Sequence, residues 1–215
     1  MIEAPVRYQF TDCITSEAEL RALLGEPSDL VLRKQLAALD HHCRAFLALS
    51  PFVLVGTTNA QGQCDVSPRG DAPGFVLALD DHTLVIPDRP GNRRIDSLRN
   101  IISHGGIGLL FMIPGVEETL RVNGRACIVR DAALLLRLEA QGKVPKLAIA
   151  VDVEEAFLQC AKALKRSRLW DAATWPERAA LPTLAQILHD QVPTEGVTVE
   201  ALHAAFEESY RERLY

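Results

Sequence analysis

Cysteine is scarce in this chain and badly placed for pairing. The five thiols, Cys13, Cys43, Cys64, Cys127 and Cys160, are odd in number and contain no Cys-x-x-Cys, which argues against a disulfide framework and for reduced thiols in a cytosolic setting. No apolar run approaches the ~20 residues that span a bilayer. The opening Met-Ile-Glu-Ala-Pro-Val-Arg lacks the basic and apolar regions of a secretory leader. A cytoplasmic protein without membrane contact is therefore expected. Positive charge is also in deficit, with 23 Lys and Arg against 28 Asp and Glu, a net charge of −5 and a pI near 5.7. Nucleic-acid binding, which needs a basic face, is not expected. Gly-x-Gly-x-x-Gly, a Walker motif, Gly-x-Ser-x-Gly, internal repeats and low-complexity stretches are all missing. Dinucleotide-fold, P-loop and serine-hydrolase chemistry lose their usual carriers.

What remains is a chain of 215 residues, 48% hydrophobic and 24% charged, long enough for a sizeable core without staples. Helices are predicted from Ser16, from Ser28 and over His42 to Leu49, the last stopped by Ser50-Pro51. Strands are predicted at Phe52–Thr58 and Cys64–Arg69 around a Gly62 turn, and at Phe75–Leu79 and Thr83–Ile86 around Asp80-Asp81-His82. A helix over 93–104, strands at Ile107–Ile113 and Thr119–Val129, and a helix from Asp131 to Gln141 follow. A strand at Leu147–Val153, a helix at Glu154–Arg166 and two tail helices, Pro182–Asp190 and Thr198–Arg213, complete the reading. Tight turns between strands favour an α+β protein with an antiparallel sheet or barrel over a βαβ fold. The expected organisation is a helical segment at 1–50, a barrel core at 51–170 and a helical extension at 171–215.

The most informative segment runs Pro87-Asp-Arg-Pro-Gly-Asn-Arg-Arg-Ile-Asp-Ser-Leu-Arg99. Asn92 reads as an N-cap, with Ile95, Leu98, Ile101 and Ile102 as a buried stripe and Gly105 as the stop. That places Arg93 and Arg94 in a first helical turn, where cations are disfavoured unless an anion docks there. Helix N–H groups and guanidinium forks both suit a phosphate. Between Asp88 and Arg99 stand four arginines and two aspartates, so the local sign reverses that of the whole chain.

Other constellations have plainer readings beside the functional one. In Ser67-Pro68-Arg69-Gly70-Asp71 a hydroxyl, a guanidinium and exposed backbone could cradle a ring or phosphate; the plain reading is a bent strand end with an Arg–Asp surface pair. On Thr119–Val129, Leu120, Val122, Ala126 and Ile128 share one face, while Thr119, Arg121, Asn123 and Arg125 share the other. The second face is open to ligand or solvent. His41-His42-Cys43 suggests a metal, but adjacent helical residues point about 100° apart, so no metal is expected. Lys162, Lys165, Arg166 and Arg168 suit a helix C-terminus. Trp170 fits either the core or a stacking contact.

Taken in order, Thr57-Thr58, Gly62-Gln63, Asp65-Val66-Ser67-Pro68-Arg69-Gly70-Asp71, Pro73-Gly74-Phe75-Val76, Ile86-Pro87 through Arg94, Gly108-Leu109-Leu110-Phe111 and Leu120-Arg121-Val122-Asn123-Gly124-Arg125-Ala126 resemble the pyridoxamine 5'-phosphate oxidase-like flavoproteins. The likeness runs from about Phe46 to Trp170 and is strongest to a branch carrying both the Ser-Pro-Arg-Gly-Asp and Pro-Asp-Arg-Pro-Gly-Asn-Arg-Arg signatures. It implies an antiparallel split β-barrel that binds FMN, with helices flanking it at both ends of the chain. By the resemblance, Arg93 and Arg94 hold the phosphate, and Ser67, Pro68, Arg69, Gly70, Ile86, Pro87 and Asn92 belong to the cofactor site. Thr119 stands where the family often has glutamine. The resemblance further implies a homodimer with FMN at the interface, to which Arg168 and Trp170 contribute.

True pyridoxamine-phosphate oxidases end in an Arg-Leu-x-Pro-like segment with substrate-binding Arg and His nearby, whereas this chain reads Glu-Arg-Leu-Tyr215 after a helical stretch. The expectation is an FMN oxidoreductase acting on another small organic substrate, with NADH or NADPH as a possible electron donor. The alternative is a non-catalytic carrier of FMN, haem or a deazaflavin.

Overall fold

The computed structural model of the protein describes residues 10–215. The chain divides into two compact units, one ending at Gln35 and one running from Leu36 to Tyr215. The first contains helices α1 (Glu17–Leu24) and α2 (Asp29–Arg33). Both begin after the predicted serines, and the Ser16 hydroxyl accepts the Glu19 N–H. The opening heptapeptide read for a leader lies outside the described residues.

The second unit opens with α3 (His41–Leu49), capped by Asp40, whose carboxylate accepts the Cys43 N–H at 2.8 Å. The strands are β1 (Phe52–Thr58), β2 (Cys64–Gly70), β3 (Leu77–Ala78), β4 (Thr83–Pro87), β5 (Gly106–Met112), β6 (Thr119–Val129) and β7 (Ala148–Gln159). They form one sheet in the order β2-β1-β5-β6-β7-β4-β3, every neighbouring pair antiparallel. The sheet does not close on itself: β2 and β3 are its edges. This is the expected antiparallel architecture with flanking helices. Alternation builds its core, since β1 and β5 bury every second residue. Val53, Val55, Phe111, Leu120, Val122 and Val151 are fully enclosed.

Four predicted elements differ. The expected helix at Glu154–Arg166 is instead the second half of β7, and a helix α6 covers only Lys162–Ser167. The cause is a β-bulge. Asn123 faces Glu155 and Gly124 faces Val153, so Glu154 has no partner on β6. The extra residue turns a spacing of two into one of three, leaving Val153 and Ala156 both buried, and a three-residue interval reads as helix. Gly124 is required there, because a Cβ would lie 1.9 Å from the Asp152 carbonyl oxygen. The helix from Asp131, α5, stops at Leu136 rather than Gln141. Gln141 and Gly142 both take positive φ in a turn closed by the Lys143 N–H on the Ala140 carbonyl at 2.9 Å, and no right-handed helix passes through such residues. The predicted Phe75–Leu79 strand shortens to Leu77–Ala78.

The fourth difference bears on the site. The helix α4 spans Asp96–Ser103, not 93–104, and Ile95, not Asn92, precedes it, in a left-handed conformation. Its far end is as expected, with Gly105 at φ +79. Two tail helices follow, α7 (Leu184–Gln191) and α8 (Val199–Glu212), each capped by a threonine hydroxyl, Thr183 and Thr198. Among the described residues, no helix is long and apolar enough to cross a membrane.

Candidate functional site

The two signature segments meet at one edge of the sheet. Strand β2 pairs with β1 on one side only, and alternation directs Asp65, Ser67 and Arg69 to a common, partly covered face. The Ser97 hydroxyl, in the first turn of α4, donates to Asp65 Oδ2 at 2.9 Å and lies 3.0 Å from the Ser67 hydroxyl. This fixes the start of α4 against β2.

Two ion pairs then cross between the segments. Arg69 Nη1 reaches Asp88 Oδ1 at 3.0 Å, and Arg89 Nε reaches Asp71 Oδ2 at 2.6 Å. The plain reading of a surface Arg69–Asp71 pair is thus corrected, since each finds its partner on the other segment. The Asp71 side chain is only 2% exposed. Burial alone would push its carboxyl up, but donors from Tyr215, the Ala72 N–H and Arg89 outweigh burial and hold it below the usual range.

The loop between β4 and α4 carries the remaining basic groups. Asn92 does not cap the helix; its side-chain oxygen accepts the Arg94 N–H at 3.1 Å in a local turn. Arg93 and Arg94 therefore precede α4 instead of forming its first turn. The loop turns sharply enough to hold two non-glycine residues at positive φ, Arg93 at 61° and Ile95 at 56°, which costs each about 1–2 kcal/mol. Arg94 pairs with Asp96 at 2.8 Å. That carboxylate first, and Asp65 after it, hold Arg94 still more firmly protonated. The exposed Arg93 has no ion-pair partner among the described residues.

The arginines on the polar face of β6 are engaged. Arg121 stacks 5.4 Å from the Phe157 ring, and Arg125 donates to the His104 carbonyl at 2.7 Å. Asn123, on the same strand face, donates to Glu155 at 3.0 Å. The polar face of β6 is thus occupied by its own neighbours. Arg69 differs, because its Nε is buried without a partner, and a buried unpaired donor is costly. A polar groove of about 450 Å³ runs beside the loop between the β1–β2 turn and α4, lined by Gln61, Gln63, Asp65, Arg94, Arg99 and Asn100.

The other expected site residues are spread over β2, β4, β6 and the segment after α6. Ile86 and Pro87 are buried in β4, paired with Ile149 and Ala148. Pro68 and Gly70 are exposed on the edge strand. Thr119 is 5% exposed, its hydroxyl 3.5 Å from Gln159 Oε1. Arg168 pairs with Asp171 at 2.6 Å. The Trp170 indole donates to the Val116 carbonyl at 2.9 Å, within its own chain.

Cys43 points into the core, where burial first and Asp40 second push its thiol up to about 11. His41 and His42, in contrast, lie together with rings 3.7 Å apart, and with Asp40 their ligand atoms fall within 4.8 Å. The 100° argument separates Cys43 from the pair but does not keep the two imidazoles apart. Sequence reasoning missed Asp88, Arg89, Ser97 and Tyr215, and the four charges of Arg69, Asp71, Asp88 and Arg89 held the only signal for the first two.

A family model described as pyridoxamine 5'-phosphate oxidase matches residues 39–160, more than half of the 215. No curated protein matches the chain. Among solved structures, HupZ of Group A Streptococcus is similar at 22% identity, over 56% of this chain and 93% of that one, with a TM-score of 0.46. A protein of Lactobacillus delbrueckii, provisionally named a pyridoxamine 5'-phosphate oxidase, is similar at 20% identity, over 58% of this chain and 98% of that one, TM-score 0.46. An FMN-binding protein of Syntrophomonas wolfei is similar at 9% identity, over 54% and 83% of the two chains, TM-score 0.43.

Proposed function

The chain belongs to the pyridoxamine 5'-phosphate oxidase family, and on that footing we propose that it is an FMN-binding flavoprotein and an oxidoreductase for a small organic substrate other than the phosphorylated vitamer. The observation that carries this reading is the unpaired Arg93 guanidinium beside Arg94, in a strained loop held to β2 by two crossing ion pairs. Strain kept at a surface loop needs a compensating role. A phosphate monoester satisfies it, because guanidinium groups donate charge-assisted hydrogen bonds to its oxygens. The orphaned Arg69 Nε also fits a polar ligand on this edge.

In this reading Arg93 and Arg94 hold the phosphate, Arg94 shifting part of its contact from Asp96, while Ser67 and Arg69 line the cofactor with the β2 backbone. FMN supplies two-electron redox chemistry through its isoalloxazine ring; the chain supplies orientation and local charge. We further propose a homodimer with the cofactor at the subunit interface. Because the Trp170 N–H is satisfied by Val116, its ring face is the part left for a neighbouring subunit's cofactor, with Arg168 beside it. NADH or NADPH is the proposed electron source.

Titration of the protein with FMN and with riboflavin tests the phosphate assignment. Clear preference for FMN supports it, and equal affinity overturns it. Reduction of the bound flavin by NADH or NADPH, followed by substrate-dependent reoxidation, separates an oxidoreductase from a carrier. Oxygen-dependent formation of pyridoxal phosphate at an ordinary enzymatic rate would overturn the exclusion of the vitamer.

A further inference from the structure

Tyr215 lies three residues beyond α8 and 144 residues from Asp71 in sequence, yet its hydroxyl donates to Asp71 Oδ1 at 2.6 Å. The other carboxylate oxygen of Asp71 accepts Arg89 Nε at 2.6 Å. Arg89 in turn sits over the Tyr215 ring, 5.6 Å from its centre. Phenol, carboxylate and guanidinium thus form a closed triangle with its carboxylate almost wholly buried. The hydrogen bond to Asp71, burial and the charge of Asp71 favour the protonated phenol, which is the form that donates.

The triangle stands at the root of the loop that carries the free cation. Arg89 is four residues before Arg93, and between them Pro90 and Gly91 offer no side-chain contact of their own among the described residues. Among the described residues, the loop downstream of Gly91 is held only by Asn92, by the Arg94–Asp96 pair and by the start of α4. Arg69–Asp88 and Asp71–Arg89 are the only ion pairs found between this loop and the segment 64–71 among the described residues, and the second depends on how Asp71 is oriented.

We propose that Tyr215 is a positioning residue of the phosphate site: through Asp71 it fixes Arg89, and with it the loop that presents Arg93 and Arg94. This rests on the FMN reading above. The segment after α8 then sets how well the site grips the phosphate end of its ligand. Tyr215→Phe keeps the ring under Arg89 and removes only the hydroxyl; Tyr215→Ala removes both contacts.

The test compares wild type, Tyr215→Phe, Tyr215→Ala and the control Tyr210→Phe, whose side chain is 53% exposed. Dissociation constants for FMN and for riboflavin are measured by flavin fluorescence. Loss of one hydrogen bond to a carboxylate that orients the loop weakens FMN roughly two- to ten-fold in Tyr215→Phe, and more in Tyr215→Ala. Riboflavin affinity stays unchanged, as does everything in the control. A merely structural role would weaken both ligands together, and that result, or unchanged FMN affinity in Tyr215→Ala, overturns the proposal. Amide hydrogen exchange without any flavin provides an independent readout. Residues 88–95 exchange faster in both Tyr215 variants if the triangle holds the loop, and unchanged exchange overturns the proposal whether or not FMN is the ligand. A wild type that binds FMN no better than riboflavin, with faster loop exchange in the variants, would instead defeat the phosphate reading and leave the positioning role standing.

Discussion

The β6–β7 pair and the loop between β4 and α4 both depart from regular structure, in opposite ways. In the strand pair a single extra residue, Glu154, bulges out among packed neighbours: Gly124 admits the Asp152 carbonyl, and Leu120, Val122, Val151 and Ala156 are fully buried. In the loop, two non-glycine residues hold positive φ, and the exposed Arg93 has no ion-pair partner among the described residues. An irregularity in the sheet core serves packing, since the bulge shifts the pairing by one residue and leaves Val153 and Ala156, on either side of it, both buried. An irregularity whose local cost meets no gain in packing is what the proposed binding role accounts for, because sequences tend to violate local rules where function requires it.

The comparison breaks most sharply at Gly124. Gly124→Ala puts a Cβ into the Asp152 carbonyl, so the bulge must open, and a loss of about 4 kcal/mol in urea unfolding is expected. Flavin affinity of the fraction that remains folded should be unchanged. The converse variant is Arg93→Ala with Arg94→Ala. It should weaken FMN by about 3 kcal/mol, more than 100-fold, since each charge-assisted contact is worth about 1.5–3 kcal/mol. Its stability should stay within about 0.5 kcal/mol of wild type, as for other surface substitutions.

A finer separation comes from Arg93→Gly. Relief of the left-handed strain at φ 61 should stabilise the flavin-free protein by about 1 kcal/mol while still weakening FMN. Loss of stability there would show that Arg93 makes packing contacts and would collapse the distinction between the two regions. The smallest effect concerns acid. Asp71 is held below its usual range, so its contribution is present above the unfolded-state value near 3.8 and is lost as pH falls through the lower folded value. Wild type should exceed Asp71→Asn by about 1 kcal/mol at pH 7, with the gap closing below pH 4. A gap that widens in acid would contradict the assignment.

Much of the sheet was legible because alternation is a local signal. The strands Phe52–Thr58 and Thr119–Val129 were expected with the bounds they have, and both tail helices begin near their threonine caps. The second half of β7 was not legible, because a bulge writes a helical interval into a strand. At the site, the excess of arginine between residues 88 and 99 pointed to an anion without any structure. The geometry behind it was hidden. Asn92 looks like a cap in sequence and acts as a turn residue, and Arg69 looks paired with Asp71 two positions away, yet each finds its partner across a loop. Tyr215 left no trace in sequence, since nothing local links a tail tyrosine to an aspartate on the far side of the chain.

The central claim is that the strained loop with its unpaired arginine is a phosphate site for a flavin mononucleotide. The most direct measurement is the ratio of riboflavin to FMN dissociation constants, in wild type and in the Arg93→Ala, Arg94→Ala double variant. The account predicts a strong preference for FMN in wild type that falls close to unity in the variant, with riboflavin binding left as it was. Equal affinity for the two flavins in wild type, or a preference that survives loss of both arginines, would contradict it.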